Sequence, residues 1–211
     1  MMIKQRKTTL ILTSIFILVP IVIGIVLWNQ LPDTMATHWG VDNEANGFSS
    51  KTFTVFGMPA VLLAIHWICI LATKLDKKSQ NINPKIFSLV LWICPALSLL
   101  MSAVVYLTAM GKEIKVGFIV TLFMGLLFII IGNYLPKCKQ SYTMGIKLPW
   151  TLESEENWNK THRFAGPLWV IGGILIIATA VFESPIVFGV IIGVMIIAPV
   201  VYSYIYYKRH K

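Results

Sequence analysis

The sequence has little charge and few interruptions in its apolar runs. Only 13% of its 211 residues are Asp, Glu, Lys or Arg, whereas a soluble domain carries about a quarter. Apolar residues make up 56% of the chain and form long stretches, and a membrane-spanning helix needs about 20 of them in succession. This composition excludes a soluble enzyme, a disordered tail and a β-barrel. It predicts an all-α polytopic membrane protein with six transmembrane helices.

The lack of paired cysteines, buried acids and catalytic motifs excludes further classes of function. The three cysteines, Cys69, Cys94 and Cys138, form no even-numbered exported framework, so we expect free thiols. No Asp or Glu lies deep in an apolar run, which argues against a carboxylate-based proton- or sodium-coupled transporter. No P-loop, HExxH or GxSxG motif is present, so the usual ATPase, zinc protease and serine hydrolase signatures are missing. The chain is therefore expected to be a non-enzyme without a cofactor.

Six apolar runs predict the membrane spans of a single domain, at about 8–28, 52–73, 85–110, 114–135, 165–182 and 186–207. The first run is longer than a signal-peptide core and no cleavage pattern follows it, so it is interpreted as an uncleaved span. The two longest polar segments are at 29–51 and 136–164. Small residues favour close helix packing. Gly189-Val-Ile-Ile-Gly193 is a weak signal that favours packing within the chain, with dimerisation as the alternative.

The distribution of the net charge of +9 indicates how the chain is oriented across the membrane. Of the 18 basic residues, 15 fall in the termini and in the segments between spans 2 and 3 and spans 4 and 5. Short basic loops stay cytoplasmic, so both termini and the 136–164 loop are predicted to be cytoplasmic, and the 29–51 loop extracellular. The basic excess suits anionic lipid head groups. No basic soluble face is available for direct nucleic-acid binding.

The extracellular loop combines aromatic rings with polar side chains. Four of the latter have the chemistry of metal ligands: His38, Asp33, Asp42 and Glu44. Their spacing is not diagnostic, so a weak metal site at His38, a hydrogen-bonded turn and a polar docking surface all remain open. Trp39 and Phe48 suit the head-group level. Lys51 begins the second span, where its ammonium can snorkel to the interface.

The cytoplasmic loop is predicted to end in an interfacial helix from about 152 to 164, with Thr151 as its N-cap. Trp158 and His162 then lie four residues apart on one face. His162 and Arg163 are compatible with an acid/base or anion-binding pair. They are equally compatible with a capping histidine and an anchoring arginine.

His66 is the clearest ionisable residue inside a span. Intramembrane ionisable groups are functional-site candidates. A neutral imidazole that hydrogen-bonds to a neighbouring helix explains the same residue, and both interpretations stay open.

The two loops carry motifs that are similar to those of a known family. Leu31-Pro-Asp-Thr-Met-Ala-Thr-His-Trp-Gly40 resembles the segment that opens a bacterial membrane domain of uncharacterised function. The later segments Ile131-Gly-Asn-Tyr-Leu-Pro136, Met144-Gly-Ile-Lys-Leu-Pro-Trp-Thr-Leu152 and Thr161-His-Arg-Phe-Ala-Gly166 resemble the SdpI family, immunity proteins for the sporulation-delaying toxin of Bacillus. Lys147 departs from the Arg of the common pattern, and Leu148 from its Thr.

The resemblance implies a multi-pass protein of the bacterial cytoplasmic membrane that protects its cell against a secreted antimicrobial peptide. It also implies a signalling role, in which a cytoplasmic transcriptional repressor is held at the membrane. Toxin contacts are expected at His38, Trp39, Asp33 and Lys51. Signalling is expected at the motif residues Gly145, Lys147, Trp150, Thr151, Trp158, Thr161, His162 and Arg163. The alternative is a membrane-embedded, metal-dependent enzyme acting on peptide or lipid.

Overall fold

A computed structural model describes residues 6–210. Two basic positions used for the orientation, Lys4 and Lys211, lie outside these residues. In chain order the main elements are α1 (Lys7–Val26), β1 (Thr34–Trp39), β2 (Ala45–Ser50), a π-helical turn (Phe53–Gly57), α2 (Met58–Leu75), α3 (Pro84–Ala109), α4 (Val116–Tyr134), α5 (Pro149–Glu153), α6 (Glu155–Thr179) and α7 (Pro185–Arg209). Short 3-10 turns occupy Ser79–Asn81, Leu135–Lys137 and Ala180–Phe182.

Six helical segments are long and apolar enough to cross a membrane: Lys7–Val26, Phe53–Leu75, Pro84–Ala109, Val116–Lys137, Glu155–Phe182 and Pro185–Arg209. Helices satisfy their backbone groups internally, which the bilayer core requires. The prediction of an all-α, six-span membrane protein is confirmed. The orientation of the termini and the single domain stay predictions.

The helix predicted over about 152–164 is not a separate element in the structure. The structure instead has the five-residue α5 followed by α6, which runs without a break from Glu155 to Thr179. Ser154 is extended, and its side chain accepts a hydrogen bond from the backbone N–H of Asn157 at 3.2 Å. Ser154 is therefore the N-cap of α6, three residues after the predicted cap at Thr151. The segment expected to lie along the membrane is the first part of α6, and its position relative to the membrane stays a prediction.

The loop at 29–51 is an antiparallel hairpin. Strand β1 pairs with β2, with irregularities in register on either side of His38. The turn closes through a hydrogen bond from the N–H of Gly40 to the carbonyl of Glu44 at 2.8 Å, and Asn43 adopts a φ of 64° within it. Asn is one of the few residues that accept this left-handed conformation readily.

The chain divides into two compact units. The first comprises Met1–Lys74 and Phe87–Val116. Beside the hairpin its core contains five buried side chains: Leu31, Met35, Val55, Val105 and Tyr106. Partly buried Trp28 and Trp39 pack against them. Apolar contacts thus hold the hairpin against the helices of this unit.

The second unit comprises Leu75–Ile86 and Gly117–Lys211. Helices α4 and α6 approach closely at glycines. A Cβ on Gly132 would lie 2.8 Å from the carbonyl oxygen of Gly166, and one on Gly125 would lie 2.8 Å from that of Gly173. Small residues therefore permit this packing, as the sequence indicates.

The expected role of Gly189 and Gly193 is wrong for the residues described. A Cβ on either would have no neighbouring heavy atom within 4 Å. Helix α7 instead contacts α6 through Met195, whose Sδ atom lies directly against Gly172. The two glycines of the GxxxG motif lie away from that contact.

Candidate functional site

Lys51 and Asp33 close the base of the hairpin. Lys51 Nζ lies 3.1 Å from Asp33 Oδ1, and it also donates to the carbonyl of Trp28 at 3.3 Å. The same ammonium lies 5.1 Å from the centroid of the Trp28 ring. The side chain of Lys51 is 13% exposed, whereas that of Asp33 is 99% exposed. Lys51 is therefore directed to the protein, while Asp33 presents its carboxylate outside.

His38 and Trp39 differ in burial although they are neighbours on β1. Trp39 is half-buried against the core cluster, and His38 is exposed. His38 Nδ1 lies 2.5 Å from the side-chain Oδ1 of Asn46. Because an amide oxygen only accepts, Nδ1 is the donor. The hairpin thus offers one fixed imidazole and one partly covered indole.

The weak metal candidate at His38 finds no partners in the part of the chain that the structure describes. No group of three or more His, Cys, Asp or Glu side chains there could hold a metal ion. Asp42 instead accepts a hydrogen bond from the backbone N–H of Glu44 at 3.1 Å. Of the three interpretations of this loop, the hydrogen-bonded turn matches these contacts. The three cysteines are free, as expected.

His66 lies in the first unit and is 2% exposed. Its Nε2 atom pairs with the hydroxyl of Thr13 on α1 at 3.1 Å. The Thr13 hydroxyl also bonds the carbonyls of Thr9 and Leu10, at 2.9 and 3.1 Å. This contact is the helix-to-helix hydrogen bond that the sequence left open as one explanation.

In the second unit, Asp76 anchors the loop that follows α4. Its carboxylate accepts the backbone N–H groups of Tyr142 and Thr143 at 2.9 and 3.0 Å, the Thr143 hydroxyl at 2.8 Å and the N–H of Lys78 at 2.7 Å. Burial by itself raises the pKa of Asp76, but these four hydrogen bonds outweigh it and hold the pKa below its ordinary value.

Gln140 connects three segments of the same unit. Its Nε2 donates to the carbonyls of Thr151 and Leu152, both at 2.8 Å. Its side-chain oxygen accepts from the Lys78 ammonium, and its backbone carbonyl accepts from Asn81 Nδ2 at 3.0 Å. Gln140 is 7% exposed, so these bonds satisfy a buried amide.

His162 and Trp158 form the centre of the motif region. Their rings stack with centroids 4.1 Å apart, and both side chains are fully buried. His162 Nε2 accepts the backbone N–H of Ile146 at 2.9 Å, and Nδ1 lies 2.8 Å from the carbonyl of Trp158. Trp158 Nε1 donates to the carbonyl of Cys138 at 2.8 Å. Gly145, at a φ of 109°, passes directly over both rings.

Thr151 and Trp150 tie α5 to its surroundings. The Thr151 hydroxyl donates to the carbonyl of Ile146 at 2.9 Å and accepts the N–H of Leu148 at 2.9 Å. Trp150 Nε1 donates to the hydroxyl of Ser203 on α7 at 2.9 Å. Both motif residues therefore fix the loop by side-chain hydrogen bonds.

Thr161 lies on the same buried side of α6. It is fully buried, and its hydroxyl donates to Asn157 Oδ1 at 3.0 Å. Asn157 Nδ2 in turn donates to the carbonyl of Ser203 at 3.1 Å. Thr161 thus belongs to the hydrogen-bonded contact between α6 and α7.

Lys147 and Arg163 are the motif residues that face outward. Both are exposed. Lys147 Nζ donates to the carbonyl of Thr143 at 3.3 Å. The side chain of Arg163 has no hydrogen bond or ion pair within residues 6–210. The structure brings His162 and Trp158 together but does not pair His162 with Arg163. Adjacent residues on a helix point in different directions, which explains this separation.

Sequence reasoning missed Asp76, Gln140 and Asn157, three buried polar residues that organise the second unit. Asp76 is the single acid in the Lys-rich segment between the second and third spans, and that isolation was the available signal. Gln140 and Asn157 had no comparable signal, because Gln140 bonds Lys78 and Asn81 about 60 residues away and Asn157 bonds Ser203, 46 residues away.

Two family models match the chain in the regions that carry these contacts. A domain of unknown function (DUF1648) matches residues 15–63, and the SdpI/YfhL protein family matches residues 137–204. The chain is 27% identical over 206 residues to the curated protein "Immunity protein SdpI" of Bacillus subtilis (strain 168), which covers 94% of this chain and 96% of that protein. No solved structure matches.

Proposed function

We propose that this chain, a six-span membrane protein by its helices, belongs to the SdpI family and is an immunity protein that protects its cell against a secreted peptide toxin. The observation that carries the proposal is the similarity to an immunity protein along 94% of the chain. Protection is proposed to depend on binding rather than catalysis. The absence of common catalytic motifs in the sequence supports this.

The proposed sidedness places the hairpin outside the cell and the loop before α6 inside. Its support is the distribution of charge, since 15 of the 18 basic residues lie on the side of the termini and that loop. On this arrangement the toxin first meets the hairpin. A cytoplasmic repressor would meet the other side.

The hairpin is suited to contact with a peptide. Val41 is 80% exposed at its turn, and Phe48 is 62% exposed on β2. Burial of these two side chains against an apolar peptide would be favourable. Of the expected toxin contacts, His38 and Asp33 are available outside. Trp39 and Lys51 support the hairpin from within.

The cytoplasmic partner is proposed to contact Lys147 and Arg163. These are the exposed basic members of the motif, whereas Trp158, Thr161 and His162 are buried. Basic side chains suit a partner with acidic groups, although Lys147 lacks the bidentate geometry of Arg. The buried members position the loop that presents Lys147.

Expression in a toxin-sensitive bacterium tests the proposal. The panel contains secreted antimicrobial peptides, with the sporulation-delaying toxin among them. We expect survival to rise for at least one peptide. Unchanged killing by the whole panel, at verified membrane levels of the protein, would contradict the function.

Single substitutions separate the two sides. His38→Ala and Trp39→Ala are expected to weaken protection, and Arg163→Ala to weaken a transcriptional response with protection unchanged. Trp158→Ala is a less clean test because its ring is fully buried and its loss is expected to lower protein levels. Loss of both outputs in Arg163→Ala at normal levels would argue against separate roles.

A further inference from the structure

Strand β1 has an outer edge without a partner strand. The sheet has two strands within residues 6–210, in the order β1-β2. A strand edge carries N–H and C=O groups that are available for pairing with another chain. Peptide recognition by addition of a strand uses such edges.

The register identifies which backbone groups face outward. The N–H of Lys51 donates to the carbonyl of Asp33 at 2.8 Å, so these two residues form a hydrogen-bonded pair at the base of the hairpin. The next pairs along the ladder are Thr34↔Ser50, Met35↔Ser49 and Ala36↔Phe48. Hydrogen-bonded and non-hydrogen-bonded pairs alternate in an antiparallel ladder. Thr34 and Ala36 therefore direct their N–H and C=O groups away from β2.

The outward backbone N–H and C=O groups are free to pair on β1, whereas on β2 at least one of them is already used. Within residues 6–210, no group outside the β1–β2 ladder forms a hydrogen bond with the backbone of Thr34 or Ala36. On β2, the carbonyl of Ser50 accepts the hydroxyl of Thr54 at 3.0 Å, where the helical segment begins. The open stretch is bounded by Pro32 before it and by the register irregularity after Ala36.

The side chains around this edge indicate the chemistry of the occupant. Phe48 lies opposite Ala36 and is 62% exposed. The carboxylate of Asp33 is 99% exposed immediately before the edge, and Asp42 and Glu44 are exposed at the turn. The lysine of the hairpin is only 13% exposed. An extended peptide with apolar side chains and a basic residue complements this surface.

We propose that the outer edge of β1 binds an extended, apolar and basic segment of the peptide toxin as a third strand, through the backbone groups of Thr34 and Ala36. This inference rests on the proposed function. The backbone bonds supply affinity without reading sequence, and Phe48 and Asp33 supply preference for apolar and basic side chains.

Proline substitution at the edge tests the proposal in the full-length chain. Ala36→Pro removes an outward N–H but no bond of the ladder, and proline is tolerated at such edge positions. Ala36→Val is the matched control, because it keeps the N–H and favours the strand. Thr34→Pro is a second edge variant in case Ala36→Pro does not reach the membrane. The probe is the panel peptide against which the unsubstituted chain protects.

We expect each proline variant to lower protection about tenfold, the cost of roughly one backbone hydrogen bond. Ala36→Val should protect as well as the unsubstituted chain. Full protection by both proline variants would overturn strand addition and leave the proposed function standing. Failure of the unsubstituted chain against every peptide would overturn the proposed function and this inference with it.

Cross-linking gives an independent readout. A benzophenone amino acid at Phe48 is expected to react with alternate residues of the bound peptide, since side chains of an added strand alternate between its two faces. Reaction with consecutive peptide residues would contradict an extended strand. Cross-links between two copies of the chain, without peptide, would identify a second copy as the occupant and overturn the proposal.

Discussion

His162 Nε2 accepts a hydrogen bond from the backbone N–H of Ile146 at 2.9 Å, sixteen residues earlier in the chain. Because that nitrogen is an acceptor and Nδ1 faces the carbonyl of Trp158, the imidazole is neutral with its proton on Nδ1. Both ring nitrogens are thus used in holding the loop. This favours a positioning role for His162 over acid/base chemistry.

Removal of this acceptor should loosen the loop. His162→Phe keeps an aromatic ring beside Trp158 but leaves the Ile146 N–H without a partner, at a cost of about 1–3 kcal/mol. We expect the Ile146 amide to exchange its hydrogen at least about tenfold faster in detergent micelles. His162→Gln, which retains a side-chain acceptor, is the control. An Ile146 exchange rate in His162→Phe equal to that of the unsubstituted chain would show that the hydrogen bond is not important for the loop.

Gly145 is expected to tolerate no side chain. Gly145→Ala combines a φ of 109° with a Cβ that would lie 2.6 Å from His162 Nε2. Gly111→Ala is the matched control, because φ is 77° there but nothing lies within 4 Å. The control should lose about 1–2 kcal/mol from backbone conformation alone. Gly145→Ala should lose more free energy of unfolding than the control, as measured by thermal unfolding in micelles. Equal losses in the two variants would contradict crowding of the new Cβ against His162.

Asp76 is expected to make the second unit sensitive to acid. Its hydrogen bonds hold the pKa below the ordinary value, so its stabilising contribution is complete above the pKa of the unfolded chain. The contribution is lost as the pH falls through the lower pKa of the folded state. Asp76→Asn should be less stable at neutral pH and should lose less additional stability below about pH 4. Parallel acid dependence of the two proteins would contradict this assignment.

Lys51 and Asp33 should contribute unequally to the stability of the hairpin although they form one ion pair. Lys51→Met breaks a largely buried ammonium contact with the Trp28 carbonyl and ring. Asp33→Asn changes an exposed carboxylate, and exposed ion pairs contribute little. Limited proteolysis of the hairpin should accelerate clearly in Lys51→Met and hardly in Asp33→Asn. Equal acceleration would indicate that the ion pair itself holds the hairpin.

Much of the architecture could be predicted because membrane insertion depends on local sequence. The length of each apolar run predicts a span without reference to any other run. The motif residues were likewise identifiable, and Trp158 and His162 were correctly placed on one helix face by their spacing. The start of α6 was not predicted correctly, because both Thr151 and Ser154 have side chains that can cap a helix. Only the extended backbone at Ser154 distinguishes them.

The hairpin shows a different limit of sequence reasoning. Residues 29–51 carry turn-forming glycines and polar groups, which are typical of a loop. The two strands form because Met35 is buried with Leu31 and Val55 in the core of the first unit. The residues Thr34-Met-Ala-Thr-His-Trp39 do not alternate strictly between apolar and polar, so periodicity does not predict that burial.

The sequence by itself determined that this protein crosses the membrane, where its polar segments lie and which family its motifs resemble. Tertiary structure alone decided which polar side chains are available to a partner and which are occupied. His66 meets Thr13 across 53 residues, and Asp76 meets Thr143 across 67. Such pairs form because buried polar groups require hydrogen-bond partners, and packing, not sequence spacing, determines which partner is within reach.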